Sequence, residues 1–449
     1  MEKTIVAIST AIGNGGISII RMSGCSAVSI ADQVFACKIK PSKFEPRKLY
    51  LGTFNYGNIS DKCLCVYFKA PYSYTGEDMI EFQCHGGMTL TNRIYESLVS
   101  LGCTPATKGE FSKLAFLNGK LSLDEAEGVI DLINAESESE LKAGFDLMQG
   151  GLKKQVEVIQ DQLTELLAKI EVTLDYPEED LEEETVANIN NSLSVVSDKI
   201  SDMLSTADYG SALKNGTRIL IYGRTNAGKS SLLNSLLNYD RAIVTDIQGT
   251  TRDTLEETFE YRGFKFILID TAGIRQADNL VEEIGINRSR EMIKSADIIL
   301  LVIDGSNKLN NNDIDIINSV IDKNVIVCVN KSDLENIVEL EKLPFKNILH
   351  ISTKTGHNID KLKEELYNYV ISKNINNNSI VITNTRHIDA LKKSLEHCKT
   401  ALNSLNIGNQ LDLVSIDIKN IWLSLGDITG NSDNEKIIDD IFAKFCVGK

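Results

Sequence analysis

Gly223-Arg-Thr-Asn-Ala-Gly-Lys-Ser-Ser231 follows directly on the apolar run Ile219, Leu220, Ile221, Tyr222 and precedes Leu232, Leu233, Leu236 and Leu237. The stretch fits G-x-x-x-x-G-K-[ST] and lies where that motif must lie, between a short buried strand and an amphipathic helix. Glycines let the backbone wrap round a polyphosphate, so that successive N–H groups and the positive end of the helix point at it. The cradle residues are Asn226, Ala227, Gly228, Lys229, Ser230 and Ser231. Lys229 would reach the β and γ phosphates, and the Ser230 hydroxyl would be a ligand for Mg²⁺.

Working outward, residues 216 to 372 alternate strand and helix, which predicts a mainly parallel, doubly wound sheet covered on both faces. Candidate strands are Arg218 to Tyr222, Glu256 to Tyr261, Phe264 to Ile269, Ile298 to Ile303, Val325 to Val329 and Ile348 to Ile351. After the cradle come the loop Thr245, Asp246, Ile247, Gln248, Gly249, Thr250, Thr251, then Asp270, Thr271, Ala272, Gly273, then Asn330, Lys331, Ser332, Asp333, and last Ser352, Thr353, Lys354. This order at strand ends is the one a doubly wound nucleotide site requires, and it points to GTP with ATP as runner-up. Asp270 would hold the metal through its water shell, and the Gly273 N–H would meet the γ-phosphate. A carboxylate at Asp333 accepts from the ring N–H and the exocyclic amine of guanine, which adenine does not offer together. Asn330 and Lys331 brace that loop, and Ser352 to Lys354 close over the base.

GTPases of the Ras type place a glutamine directly after Asp-x-x-Gly to orient the attacking water. Here Ile274 stands there, so another group must position water. Asn226 and the carbonyls of the 245–251 loop either form a nest for a monovalent cation beside the phosphates or simply tie cradle to loop.

The flanks are of a different character. Residues 1 to about 118 read as a small α+β domain, with strands at Thr4 to Ile8, Gly16 to Arg21, Cys63 to Phe68 and Met79 to Cys84 and a helix from Leu90 to Leu101. Ser122 and Glu125 form a capping box ahead of Ala126, Val129, Ile130 and Ile133. A long helix carries Leu152, Val156, Ile159, Leu163, Leu166 and Ile170 on one face; Pro177 and the acidic run from Glu178 to Glu184 interrupt the stripe. It resumes with Ile189, Leu193, Val196, Ile200 and Leu204, and again, beyond an Asn-rich linker at Asn374 to Asn378, with Leu391, Leu395, Cys398, Leu402 and Leu405. Half-stripes on both sides of an α/β unit imply one discontinuous helical domain with the α/β domain inserted into it. The expected boundaries are 1–118, then 119–212 with 376–449, and 213–375 for the insert.

A chain of 449 residues exceeds one hydrophobic core, and 42% hydrophobic residues with no apolar run of spanning length predict a soluble, cytoplasmic protein with no membrane segment. Nine cysteines without C-x-x-C argue for reduced thiols, with Cys63 and Cys65 expected on alternate faces of a strand rather than as ligands. The five histidines show no metal-ligand spacing, so no zinc site is expected. A net charge of −16 disfavours nucleic acid on average and requires RNA to meet a local basic patch or a basic partner.

Thr4-Ile-Val-Ala7, Tyr74-Thr-Gly-Glu-Asp78, His85-Gly-Gly87, Gly109-Glu-Phe-Ser112, Ala115-Phe-Leu-Asn118, Gly426-Asp-Ile-Thr-Gly430 and the tail Ile441-Phe-Ala-Lys-Phe-Cys-Val-Gly-Lys449, together with the nucleotide motifs, closely resemble the MnmE (TrmE) family of tRNA-modification GTPases over essentially the whole chain. Ala106-Thr-Lys-Gly-Glu-Phe111 departs from the family's Ala-Arg-Pro-Gly-Glu-Phe, and Val447 stands where isoleucine is usual. The resemblance implies a homodimer whose N-terminal domain binds a folate one-carbon donor, 5-formyl- or methylene-tetrahydrofolate, through Arg21, Glu81, Lys120 and Lys449. It implies potassium-stimulated hydrolysis of GTP to GDP, with K⁺ on Asn226, Thr245, Ile247 and Thr250 and Mg²⁺ on Ser230 and Thr251. Lys229, Thr251 and Glu282 would be the catalytic set; Glu282 matches the acid that orients water, although a bare residue of its kind is more often a solvated helix charge. Cys446 resembles a reactive thiol or else packs the last helix. With a flavin-dependent partner, MnmG (GidA), in a heterotetramer or larger complex, such a protein modifies C5 of the wobble uridine in tRNA. The competing reading is a GTPase switch in ribosome assembly, for which a basic RNA-binding domain would be expected.

Overall fold

The computed structural model describes residues 3–175, 182–238, 256–270, 291–339, 341, 343–373, 380–407, 411–431 and 435–449. The chain divides into two units, one of Met1–Ile133, Gly144–Val172 and Ile418–Lys449, the other of Asn134–Ala143 and Thr173–Asp417.

In the first unit, β1 (Ile5–Ile8), β2 (Ile17–Ser23), β3 (Phe35–Ala36), β4 (Leu49–Tyr56), β5 (Ile59–Phe68), β6 (Met79–His85) and β7 (Thr104–Pro105) form one sheet in the order β3-β4-β5-β6-β2-β1-β7. Neighbours run antiparallel except β1 and β7. β4 turns into β5 through Gly57 and Asn58, the short Gly-containing connection that suits a twisted hairpin. Four of these strands are the runs expected from sequence. β4 is less legible because Phe54 alone of its eight residues is fully buried, and Gly52 sits where a Cβ would lie 2.5 Å from the Ala36 carbonyl oxygen. The helices Ala27–Val34 and Met88–Ser100 contribute Ile30, Val34, Ile94 and Leu98 to the core under the sheet. Cys63 and Cys65 do not sit on alternate faces. Two residues apart on β5, they share a face, and both are buried in this core.

The expected stripe on helix Gly151–Asp175 is buried at all six positions. In helix Leu123–Asn134, Leu123 and Ala126 pack with Ile441, Phe442 and Phe445 of the C-terminal segment, but Ile133 is 47% exposed; helix Glu138–Met148 makes its close approaches at Gly128, against the Met148 backbone, and at Leu132, against Gly144. The capping box is half formed: the Ser122 N–H donates to Glu125 Oε2 at 2.7 Å, while Ser122 Oγ turns to Asp124 Oδ1.

In the second unit, β8 (Thr217–Gly223), β9 (Glu256–Tyr261), β10 (Phe264–Asp270), β11 (Ile298–Asp304), β12 (Val325–Asn330) and β13 (Ile348–His350) follow the order β13-β12-β11-β8-β10-β9. All pairs are parallel except β9 with β10. Alternate residues face opposite cores: Ile219, Ile221, Leu300 and Val302 meet Leu232, Leu236, Leu362 and Leu366, while Leu220, Ile299, Leu301 and Ile303 meet Ile317 and Val320. The central strands therefore read as continuous apolar runs, as strands covered on both faces do. β8 is the topological switch, with β10 and β11 on its two sides, and the crevice beyond its C-terminal end is where such sheets bind ligands.

Helices Glu182–Ser205 and Thr385–Asn406, which flank this α/β unit in the chain, pack against each other. Their buried stripes differ from expectation at three places: Leu204, Leu395 and Leu402 are half-buried, while Met203, Ser394 and Ala401 are buried. A serine and an alanine on the inner face let the two helices approach closely, a feature that an apolar-period search passes over. Residues Asn134–Ala143 belong with this unit. The Ser139 N–H donates to the Gly263 carbonyl at 3.1 Å, and Glu136 pairs with Lys265 on the β9–β10 hairpin. The acidic run from Glu178 and the Asn-rich linker fall largely or wholly outside the described residues.

Candidate nucleotide site

β8 ends at Gly223, where an added Cβ would meet the Val302 carbonyl oxygen at 2.3 Å; only glycine lets the chain leave the sheet here. The cradle then turns through Asn226, at φ 63°, and Gly228, at φ 101°, into helix Lys229–Asn238. Leu232 and Leu236 anchor that helix in the core, so its N-terminal N–H groups are fixed at the mouth of the crevice. Lys229 is 8% exposed, and its Nζ donates to the Arg224 carbonyl at 2.9 Å.

Asn330, 1% exposed at the end of β12, ties three loops together. Its Nδ2 donates to the Ala227 carbonyl at 2.9 Å and its Oδ1 accepts from the Thr353 N–H at 3.1 Å. Lys331 is held at φ 65°, and its Nζ reaches Asp304 Oδ2 at 2.6 Å. Burial pushes the Asp304 carboxyl up, but hydrogen bonds from Lys331, Ser306 and Asn307 outweigh it and pull the group down to about 2. Ser352 Oγ donates to Asp333 Oδ1 at 2.6 Å, which holds the Asp333 carboxyl below the usual range and fixes its orientation. The Ser332 N–H donates to the Ile351 carbonyl, joining the same two loops.

These loops enclose a cavity of about 870 Å³. Asn226, Gly228, Lys229, Ser230 and Ser231 line one end, and Asn330, Lys331, Asp333, Thr353 and Lys354 the other. The expected Ala227 and Ser352 lie beneath this lining, buried. Thr225 and Leu334 also line it, and Arg224 reaches Asp313 at 3.6 Å; these the sequence reading missed. Asp304 was missed as well. A carboxylate closing a strand on the cradle side of the Asn-Lys-x-Asp loop is its only sequence signal. Polyphosphate donors at one end and a carboxylate acceptor at the other, with a magnesium-type hydroxyl at Ser230, suit a purine nucleotide whose base offers two adjacent N–H donors.

Asp270 closes β10 opposite Ile221 of β8, so its backbone stands at the same crevice. Thr245, Asp246, Ile247, Gln248, Gly249, Thr250, Thr251, Thr271, Ala272, Gly273, Ile274 and Glu282 lie outside the described residues.

In the first unit, Arg21 and Glu81 are register partners on β2 and β6, and Arg21 Nε donates to Glu81 Oε1 at 2.7 Å. The guanidinium also lies 5.7 Å from the ring centres of Tyr74 and Phe111 and donates to the Gly448 carbonyl at 3.3 Å. The C-terminal tail is drawn here by a bridge between Lys108 and Val447. Burial, with repulsion from Arg21 second, holds Lys449 below the ordinary ammonium range. Lys120 lies against Gly76. Cys446 is exposed and does not pack the last helix; Phe442 and Phe445 do.

Sheet order, cradle and base-reading loop define a P-loop guanine-nucleotide-binding domain. The model of the GTP-binding protein TrmE N-terminus matches residues 4–120, and the model of the MnmE helical domain matches residues 123–446. The tRNA modification GTPase MnmE of Clostridioides difficile (strain 630) is 41% identical over 457 residues, and that of Desulforamulus reducens 40% over 460, each covering 100% of both chains. Among solved structures, the G domain of the T. maritima FeoB iron transporter is 21% identical and covers 34% of this chain and 98% of its own, with a TM-score of 0.25. The chain belongs to the MnmE family of tRNA modification GTPases, with an N-terminal domain, a helical domain and an inserted G domain. It is a GTP hydrolase. No helix among the described residues is long and apolar enough to cross a membrane.

Proposed function

We propose that the chain is a potassium-dependent GTPase which, as a cytoplasmic homodimer with the flavin-dependent partner MnmG, supports carboxymethylaminomethyl-type modification at C5 of the wobble uridine of tRNA. The observation that carries this reading is the full-length likeness to MnmE proteins combined with a cradle that presents Asn226, in a left-handed turn, at the phosphate end of the cavity. An amide there adds a neutral oxygen donor beside the phosphates, which suits a monovalent cation where Ile274 offers no hydrogen bond.

In this reading residues 1–118 form the folate-binding and dimerisation domain, 119–212 with 376–449 the helical domain and 213–375 the G domain. Asn226, Thr245, Ile247 and Thr250 hold K⁺, and Ser230 and Thr251 hold Mg²⁺, which when bound neutralises charge on the β and γ phosphates. Lys229 pairs with the same phosphates, Asp270 orients the metal's water shell, Gly273 meets the γ-phosphate and Glu282 orients the attacking water. Asp333, steered by Ser352, selects guanine. Arg21, Glu81, Lys120 and Lys449 take the reduced folate: cations suit its glutamate tail and a carboxylate suits the donors of its pterin.

The test is hydrolysis in matched potassium and sodium buffers, followed by wobble-base analysis of tRNA from cells lacking the protein. Faster turnover in potassium and loss of the C5 group are expected. Equal rates would remove the cation, and an intact wobble base would remove the tRNA role.

A further inference from the structure

The N-terminal sheet brings together donors that are remote in sequence. β5 and β6 pair antiparallel with Leu64 opposite Gln83, and continuing that register sets Cys63 opposite Cys84. Two residues before Cys63 on the same face stands Asp61. Asp61, Cys63 and Cys84 are 7%, 3% and 2% exposed, and one carboxylate oxygen and the two sulfurs all lie within 4.8 Å of one another. The neighbouring residue on β6 clamps the carboxylate: the His85 N–H donates to Asp61 Oδ2 at 3.1 Å, and His85 Nδ1 lies 2.6 Å from Asp61 Oδ1. His85 is exposed, so the cluster reaches solvent along its imidazole.

A buried carboxylate is costly in an apolar core unless its charge is compensated. Asp61 pairs with the exposed His85 and also lies beside two uncharged thiols, whereas Cys65 and Cys103 sit in the same core among apolar neighbours. Two sulfurs and one hard oxygen, with an imidazole orienting that oxygen, form the donor set of a four-coordinate borderline cation. We propose that Asp61, Cys63 and Cys84 bind one divalent cation of the zinc class, with His85 as the positioning residue behind Asp61 and the fourth position open to water. Binding releases the two thiol protons to solvent as two sulfur–metal bonds form, leaving a cluster of net charge −1 (one divalent ion, two thiolates, one carboxylate) beside His85 that staples β5 to β6 where β6 ends before Gly86 and Gly87.

The experiment titrates Co²⁺ into full-length protein, stripped with chelator and kept reduced. Thiolate-to-cobalt charge-transfer absorption should saturate at about one ion per chain and be displaced by Zn²⁺. It should disappear in Cys63→Ser and Cys84→Ser and persist in Cys25→Ser. His85→Ala, at an exposed position that does not threaten folding, should keep the absorption but weaken affinity about 10- to 100-fold. No charge-transfer absorption in the wild type, absorption that survives in both serine variants, or unchanged affinity in His85→Ala would each overturn the site. A chain that instead loses two hydrogens under mild peroxide and takes up no cobalt would make Cys63 and Cys84 a redox pair, which also overturns it.

Discussion

Ser352 Oγ donates to Asp333 Oδ1 at 2.6 Å, so the loop after β13 fixes the orientation of a carboxylate that the loop after β12 places in the lining of the cavity. Losing that hydroxyl leaves the acceptor in place but frees its orientation. Ser352→Ala should weaken guanine-nucleotide affinity roughly 5- to 10-fold, the equivalent of about 1 kcal/mol. Titration with a fluorescent GDP analogue checks this, with the melting temperature expected to change little.

Gly228 sits at φ 101°, and an added Cβ would lie 2.1 Å from Asn330 Nδ2. Gly228→Ala therefore strains the cradle and breaks the Asn330 link to Ala227 together. Nucleotide affinity should fall on the order of 100-fold, with the chain still folded by circular dichroism. An alanine variant that binds GTP as tightly as the wild type would contradict the described role of that link.

Asp304 is ionised down to about pH 2 in the folded chain. In the unfolded chain an ordinary aspartate titrates near 3.9. Because the folded value is the lower one, the stability it contributes is complete above about pH 4 and is lost as pH falls towards about 2. Lys331 is partly exposed, so solvent screening limits this to roughly 1 kcal/mol. Melting curves of the wild type and Asp304→Asn should differ by a constant gap at neutral pH, and the gap should close below about pH 4.

Most of the G-domain site is legible in sequence because its parts are contiguous motifs at the ends of apolar strands. Gly228, Lys229, Asn330 and Asp333 appear together in the cavity for that reason. Asp304 and Arg224 are not legible, since their partners, Lys331 and Asp313, come from other strands and helices. The Asp61–Cys63–Cys84 cluster is hidden for the same reason. Spacing along one strand carries no sign of Cys84, which only the β5–β6 register delivers. The stripe on helix Thr385–Asn406 is displaced at Leu395 and Leu402 because close helix contact selects the small residues Ser394 and Ala401 over the large apolar ones that periodicity picks out, while at Leu204 the inward position simply falls one residue earlier, on Met203.

If the Asp333 carboxylate reads two donors on guanine, as proposed, Asp333→Asn is the variant that shows it most directly. The amide reverses one acceptor into a donor, which suits the C2 carbonyl of xanthine in place of the guanine amine. The variant should lose GTP affinity on the order of 100-fold or more and hydrolyse xanthosine triphosphate in its place. Unchanged GTP turnover with no response to xanthosine triphosphate would contradict it.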